Sequence, residues 1–176
     1  MIPKLIVCAG PPCSGKSTLA SALADRFDCR LLQVDRILSV LMPQSDWSEA
    51  DRLVGYRAML LTAGELVRCS RSVVLDATFT TAVCRDLLRS SRGEFRSETH
   101  IFQVRVSPDV AIRRFRARKG HAAIDLTESR VRELAENYPY SAQSPVLNGE
   151  APVEEILQWV VRYIGPCEAS ETKSEP

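Results

Sequence analysis

The segment Gly10-Pro11-Pro12-Cys13-Ser14-Gly15-Lys16-Ser17-Thr18 places a lysine and a hydroxyl directly after the second of two spaced glycines. The spacing is G-x-x-x-x-G-K-[ST], that of a loop that cradles phosphate. Gly10 and Gly15 permit the curl that turns successive N–H groups inward as an anion nest. The helix that follows adds its positive dipole end. Lys16 then reaches the β- and γ-phosphates of ATP, and the Ser17 hydroxyl ligates Mg²⁺. Pro11, Pro12, Cys13 and Ser14 complete the cradle, and Thr18 is its helix-side neighbour. Cys13 falls at the apex, as an exposed thiol or a small filler. An ordinary strand-to-helix turn explains neither the lysine nor the hydroxyl.

Two acids and a basic run could complete a site. Val73-Val74-Leu75-Asp76 is an apolar stretch ending in a carboxylate. After such a loop, Asp76 is expected to hold Mg²⁺ or its water shell. The plainer alternative is a cap on the next turn. Asp35 follows Leu-Leu-Gln-Val. A carboxylate there can accept the proton of an attacking hydroxyl, or it can cap the helix expected at 36–41. The two roles are compatible. Arg113 to Lys119 forms a cationic stretch in which Arg114 and Arg118 share one helix face. It reads as a solvated helix end, or as a lid that neutralises the transferring phosphoryl group, with Gly120 for mobility. Arg118 is the first choice of lid arginine and Arg114 the second. Trp47, Tyr56, Arg36 and Arg57 either line an acceptor pocket or, for the two aromatics, belong to the core.

The elements must bring these residues together. Short apolar strands are expected at 5–9, 31–34, 72–75, 100–106 and 144–147. Helices are expected between them: from 17, over 36–41, over 49–68, from 81 to 90, from 107 to about 118, and from 127. A polar turn at Gly93 closes the fourth, and Pro152 opens the last. Alternating strands and helices predict an α/β fold: a three-layer sandwich around a five-stranded, mostly parallel sheet, with a helical lid at about 113–126. Ligands of such sheets bind at the carboxyl ends of the strands. The loop after the first strand, Asp35 and Asp76 are therefore expected to converge.

The chain has 176 residues, 45% of them hydrophobic, which suits a single domain over 1–164. The polar tail 165–176 is expected to be disordered. A formal charge of +1 supplies no broad field for nucleic acid, so that partner is not favoured. The six cysteines are scattered without C-x-x-C pairs, and two histidines offer no zinc pattern. No signal-peptide pattern and no membrane-length apolar run is present, so a cytoplasmic protein is expected. Monomer and homodimer stay equally open.

Taken together, these segments resemble the small P-loop kinases grouped with the AAA_33-type domain. The likeness extends to the kinase domain of polynucleotide kinase, to chloramphenicol phosphotransferase and to zeta-toxin-like kinases. It is carried by 10–18, Val34-Asp35-Arg36, Leu75-Asp76-Ala77-Thr78, 113–119, Tyr140, Pro145 and 147–152, and spans about 4–164. It implies transfer of the γ-phosphoryl group of ATP to a hydroxyl, with Mg²⁺. Asp35 would be the base, an arginine near 118 would belong to the lid, and 148–152 would lie near the adenine. Polynucleotide kinases usually carry an arginine three residues after the strand-two Asp; Leu38 stands there instead. The Asn that usually follows Asp-Ala-Thr is replaced by Phe79. A small-molecule hydroxyl acceptor is therefore favoured over a 5′-hydroxyl nucleic acid. An ATP-binding regulatory module without transfer is the other alternative. No N-K-x-D motif supports a GTPase.

Overall fold

The computed structural model describes residues 2–117 and 126–165. The chain runs β1 (Lys4–Ala9), α1 (Lys16–Arg26), β2 (Arg30–Gln33), α2 (Val34–Leu41), α3 (Glu49–Arg68), β3 (Val73–Asp76), α4 (Ala82–Glu94), β4 (Glu98–Arg105), α5 (Pro108–Ala117), α6 (Glu128–Glu136), β5 (Val146–Asn148) and α7 (Val153–Ile164). The strands form one sheet in the order β2-β3-β1-β4-β5. Every pairing is parallel, not merely most of them. All strand carboxyl ends therefore lie at one edge.

The central strand shows why the fold has two cores. Leu5, Val7 and Ala9 face one side, with Tyr56, Met59, Leu60 and Ala63 of α3 and Leu88 of α4. Ile6 and Cys8 face the other, with Leu19 and Leu23 of α1 and Val160 of α7. The period of two along β1 splits its side chains between the layers. Covered on both faces, the strand reads as a continuous apolar run. A third, smaller core lies under α5 and α6, where Cys13, Val106, Ala111, Ile112, Val131 and Ala135 meet.

Side-chain caps open three of the helices. Ser48, Thr81 and Thr127 each accept a bond from the backbone N–H three residues on, opening α3, α4 and α6. α3 occupies the expected 49–68, with Leu53 half-buried on it. Two boundaries differ. β2 stops at Gln33, so Val34 and Asp35 begin α2 instead of ending the strand. α4 continues through Gly93 to Glu94 instead of turning there. A lone helical glycine costs only about 1 kcal/mol, which the packed face of α4 outweighs. No helix among the described residues is long and apolar enough to cross a membrane.

Candidate functional site

The loop between β1 and α1 is held in a conformation that its glycines make possible. Gly10 and Gly15 have φ of 151° and 96°. A Cβ on Gly10 would come within 2.6 Å of the Val104 carbonyl oxygen. Cys13 also has positive φ, at 60°, yet it is buried against the small core beneath α5 and α6. It is a filler that joins the loop apex to those helices, not an exposed thiol. Ser14 is fully buried, and its hydroxyl has no hydrogen-bond partner among the described residues. Pro11 and Pro12 are buried, and Thr18 is exposed on the helix side.

Lys16 and Ser17, the first residues of α1, line a cavity of about 210 Å³ together with Asp35 and Thr78. Ser17 and Asp35 also border an adjoining cleft with Gln33 and Asp76. The expected convergence of loop, Asp35 and Asp76 is thus present. Its basis differs at Asp35, which sits in the first turn of α2. Gln33 occupies that helix's N-cap position, so Asp35 is not the cap.

Asp76 is the last residue of β3 and is buried. Its Oδ2 accepts a bond from Gln33 Nε2 at 3.0 Å. The β2–β3 register sets Gln33 directly beside it. Asp76 Oδ1 is buried without a hydrogen-bond partner among the described residues. Thr81, not Asp76, caps α4. An orphaned carboxylate oxygen and a serine hydroxyl on one cleft are a donor set that suits Mg²⁺, a hard cation that keeps much of its shell as water and phosphate oxygen.

Arg114 faces the loop from α5. One guanidinium nitrogen donates to the Cys13 and Ser14 carbonyls at 3.3 and 3.2 Å, the other to the Gly149 carbonyl at 2.8 Å. Its place is on the backbone that carries the loop rather than in the cavity of Lys16 and Asp35. Arg118 lies outside the described residues, as does most of the expected lid. The 148–152 segment does meet the loop. Gly149 and Ala151 border a cleft of about 380 Å³ with Gly15, Thr18 and Arg114. A Cβ on Gly149 would lie 2.2 Å from the Ser14 carbonyl oxygen.

A hydroxyl network braces the opposite wall. Tyr56 Oη accepts from Phe79 N at 2.9 Å and lies 3.0 Å from Thr78 Oγ1. Tyr138 Oη donates to the Thr78 carbonyl at 2.6 Å, and Gly10 N reaches the same oxygen at 3.4 Å. Burial holds the phenols of Tyr56 and Tyr138 well above the usual tyrosine range, so both stay neutral donors. If Tyr56 donates to Thr78, every group is satisfied and the Thr78 hydrogen is left for the cavity. Phe79 and Trp47 have φ of 50° and 62°. Phe79 is core, packed edge-on to Tyr56. Trp47 and Tyr56 are buried and also line the cavity, so both readings of these aromatics hold. Arg36 borders the cleft beside Asp76, and Arg57 is exposed.

Gln33, Thr78 and Tyr138 had no assigned function in the sequence. The detectable signal was a weak one, a glutamine two residues before Asp35.

No curated protein matches the sequence. Solved structures share the fold. The Mycobacterium tuberculosis APS kinase bound to AMPPNP and APS is 20% identical, with a TM-score of 0.73 over 92% of this chain and 97% of that one. A sugar kinase from Janibacter is 17% identical, with a TM-score of 0.71 over 93% and 95%. Shikimate kinase from Bacteroides thetaiotaomicron is 16% identical, with a TM-score of 0.68 over 92% and 98%. At these identities the likeness is one of fold. The sequence matches the AAA_33 family, described as an AAA domain, over residues 5–140, and the chain belongs to that family.

Proposed function

We propose that this chain is an ATP-dependent, Mg²⁺-dependent kinase that phosphorylates a hydroxyl of a small molecule. The observation that carries this reading is the meeting of Lys16, Ser17 and Asp35 on one cavity, with Asp76 on the cleft beside it. The three similar structures described above are kinases, which supports the reaction class.

The adenine side lies over the cleft of Gly15, Thr18, Arg114 and Gly149, and the triphosphate follows the loop N–H groups to Lys16. Ser17 Oγ and Asp76 Oδ1 would hold Mg²⁺, which when bound neutralises charge on the β- and γ-phosphates. Asp35 accepts the proton of the acceptor hydroxyl as its oxygen bonds to the γ-phosphorus. The bond from that phosphorus to the β–γ bridging oxygen breaks, and ADP leaves. Lys16 offsets the charge that builds on the transferring group. The Thr78 hydroxyl orients the acceptor. Arg114 fixes the loop through its carbonyls, and Arg118 is the lid arginine.

Transfer of label from [γ-³²P]ATP to a mixed acceptor panel tests the reaction. Asp35→Ala should lower turnover by 10²-fold or more, the contribution expected of a general base, while ATP affinity changes little. Turnover near that of the unaltered protein would remove Asp35 from the base role. ATP binding with no transfer to any acceptor would favour the regulatory alternative.

A further inference from the structure

We propose that Gln33 is a positioning residue for the metal: its amide clamps one oxygen of Asp76 and so keeps the other oxygen for the cation. The inference rests on the Mg²⁺ reading above and extends it one residue outward. Gln33 ends β2 and lies directly across the ladder from Asp76, which ends β3. Neighbouring strands are about 4.8 Å apart, a gap that a glutamine side chain bridges. Gln33 Nε2 donates to Asp76 Oδ2 at 3.0 Å. Asp76 Oδ1 is buried and has no hydrogen-bond partner among the described residues. Both residues border the cleft that Ser17 also lines. The two oxygens of one carboxylate thus have unequal surroundings, one engaged and one left over.

The place of Gln33 on α2 is a second, separate observation. It occupies the N-cap position, where Ser, Thr, Asp or Asn normally satisfies the first N–H groups of the helix. Its side chain makes no cap bond. Ser48, Thr81 and Thr127 do make one at α3, α4 and α6. At α2 the side-chain cap is given up, and the amide is turned to Asp76 instead.

An amide is the group this task requires. The terminal torsion of an aspartate is broad, so an unclamped carboxylate can present either oxygen or neither. An amide N–H fixes it without adding charge. Lysine or arginine at position 33 would set a positive charge beside the cation, and an ionised glutamate has no proton to donate and would repel Asp76. Among the described residues, no group of three or more His, Cys, Asp or Glu side chains could hold a metal ion. The donors from this chain are therefore few, and the direction of each one counts. Groups that orient a metal-binding side chain are typically worth 10- to 100-fold in metal affinity.

The test separates metal from nucleotide and reads no phosphoryl transfer. The full-length protein is compared with its Gln33→Met, Asp76→Asn and doubly substituted variants. Each is titrated with the non-hydrolysable ATP analogue AMPPNP in a calorimeter, once in EDTA and once with saturating Mn²⁺. Mn²⁺ serves as the probe because it takes the same oxygen donors as Mg²⁺. Gln33→Met removes the donor and keeps an unbranched side chain of similar size. It should weaken binding about tenfold with Mn²⁺ and less than twofold in EDTA. In the Asp76→Asn background it should change either value less than twofold, because Gln33 acts through Asp76. An equal loss in EDTA would mean that Gln33 only supports the nucleotide loop, and would overturn the inference. No loss with Mn²⁺, or the same loss in both backgrounds, would overturn it too, while leaving Asp76 as the metal group. If Asp76→Asn alone leaves binding with Mn²⁺ unchanged, the Mg²⁺ reading of Asp76 fails, and the inference falls with it.

Discussion

At the scale of single residues, the nucleotide loop depends on a side chain that is missing beside it. Gly149 has no positive φ to explain it, so its requirement is one of space alone. A methyl group there meets the Ser14 carbonyl oxygen at 2.2 Å, Val104 Cγ1 at 2.6 Å and the Arg105 carbonyl oxygen at 2.8 Å. Two of those neighbours are backbone and cannot rotate away. Gly149→Ala should therefore cost about 2–3 kcal/mol of stability and displace the loop. Gly93 is the contrast, exposed in the last turn of α4 with nothing within 4 Å of its Cβ position. Gly93→Ala should stabilise by about 0.5–1 kcal/mol, through helix propensity and a less flexible unfolded chain. Urea denaturation of the two variants checks both signs. Equal and small effects at the two positions would mean that Gly149 does not press on the loop.

At the scale of elements, α5 serves the loop through one side chain. The Arg114 fork reaches three carbonyls, of Cys13, Ser14 and Gly149, and so ties the loop to the end of β5. A planar fork can span those oxygens at once, whereas an ammonium on a flexible stem cannot. Arg114→Lys should weaken ATP binding about tenfold, the equivalent of the net loss of one hydrogen bond. Arg116→Ala, which removes an exposed pair between α5 and Glu128 of α6, should change it less than twofold. Titration calorimetry with a non-hydrolysable ATP analogue distinguishes the two. Element placement was largely legible in the sequence. Glycine spacing marked the loop, the range 49–68 was expected for α3, and an acid after Val-Val-Leu marked Asp76. What escaped depended on pairing across the fold. Gln33 finds Asp76 only through the β2–β3 register, and Gly149 finds Ser14 only once β5 lies beside β4. Asp35 was recognised but assigned to the wrong element, because Leu-Leu-Gln-Val is compatible with strand until the helix claims Val34.

At the scale of the whole molecule, the two faces of the sheet and the α5–α6 pair rest on unequal cores. From Leu5 to Ala9, β1 lies buried between α3 and α4 on one side and α1 and α7 on the other. α5 and α6 pack on each other over a few small residues, and Cys13 at the loop apex is the buried side chain through which they meet the nucleotide loop. Opening free energy follows buried apolar contact, so cooperative units need not open together. Backbone amides of β1 and β3 should exchange with solvent only through global unfolding. Those of α6 should exchange through a local opening several kcal/mol lower. Bound nucleotide should slow exchange in α5 and α6 more than in α3, because the loop and Arg114 transmit its binding to α5 and from there to α6. Native-state hydrogen exchange, with and without the ATP analogue, reads all of this in one experiment. Exchange of α6 in step with β1 would mean that the protein opens as one unit, and that movement of the α5–α6 pair is no separate step in closing over ATP.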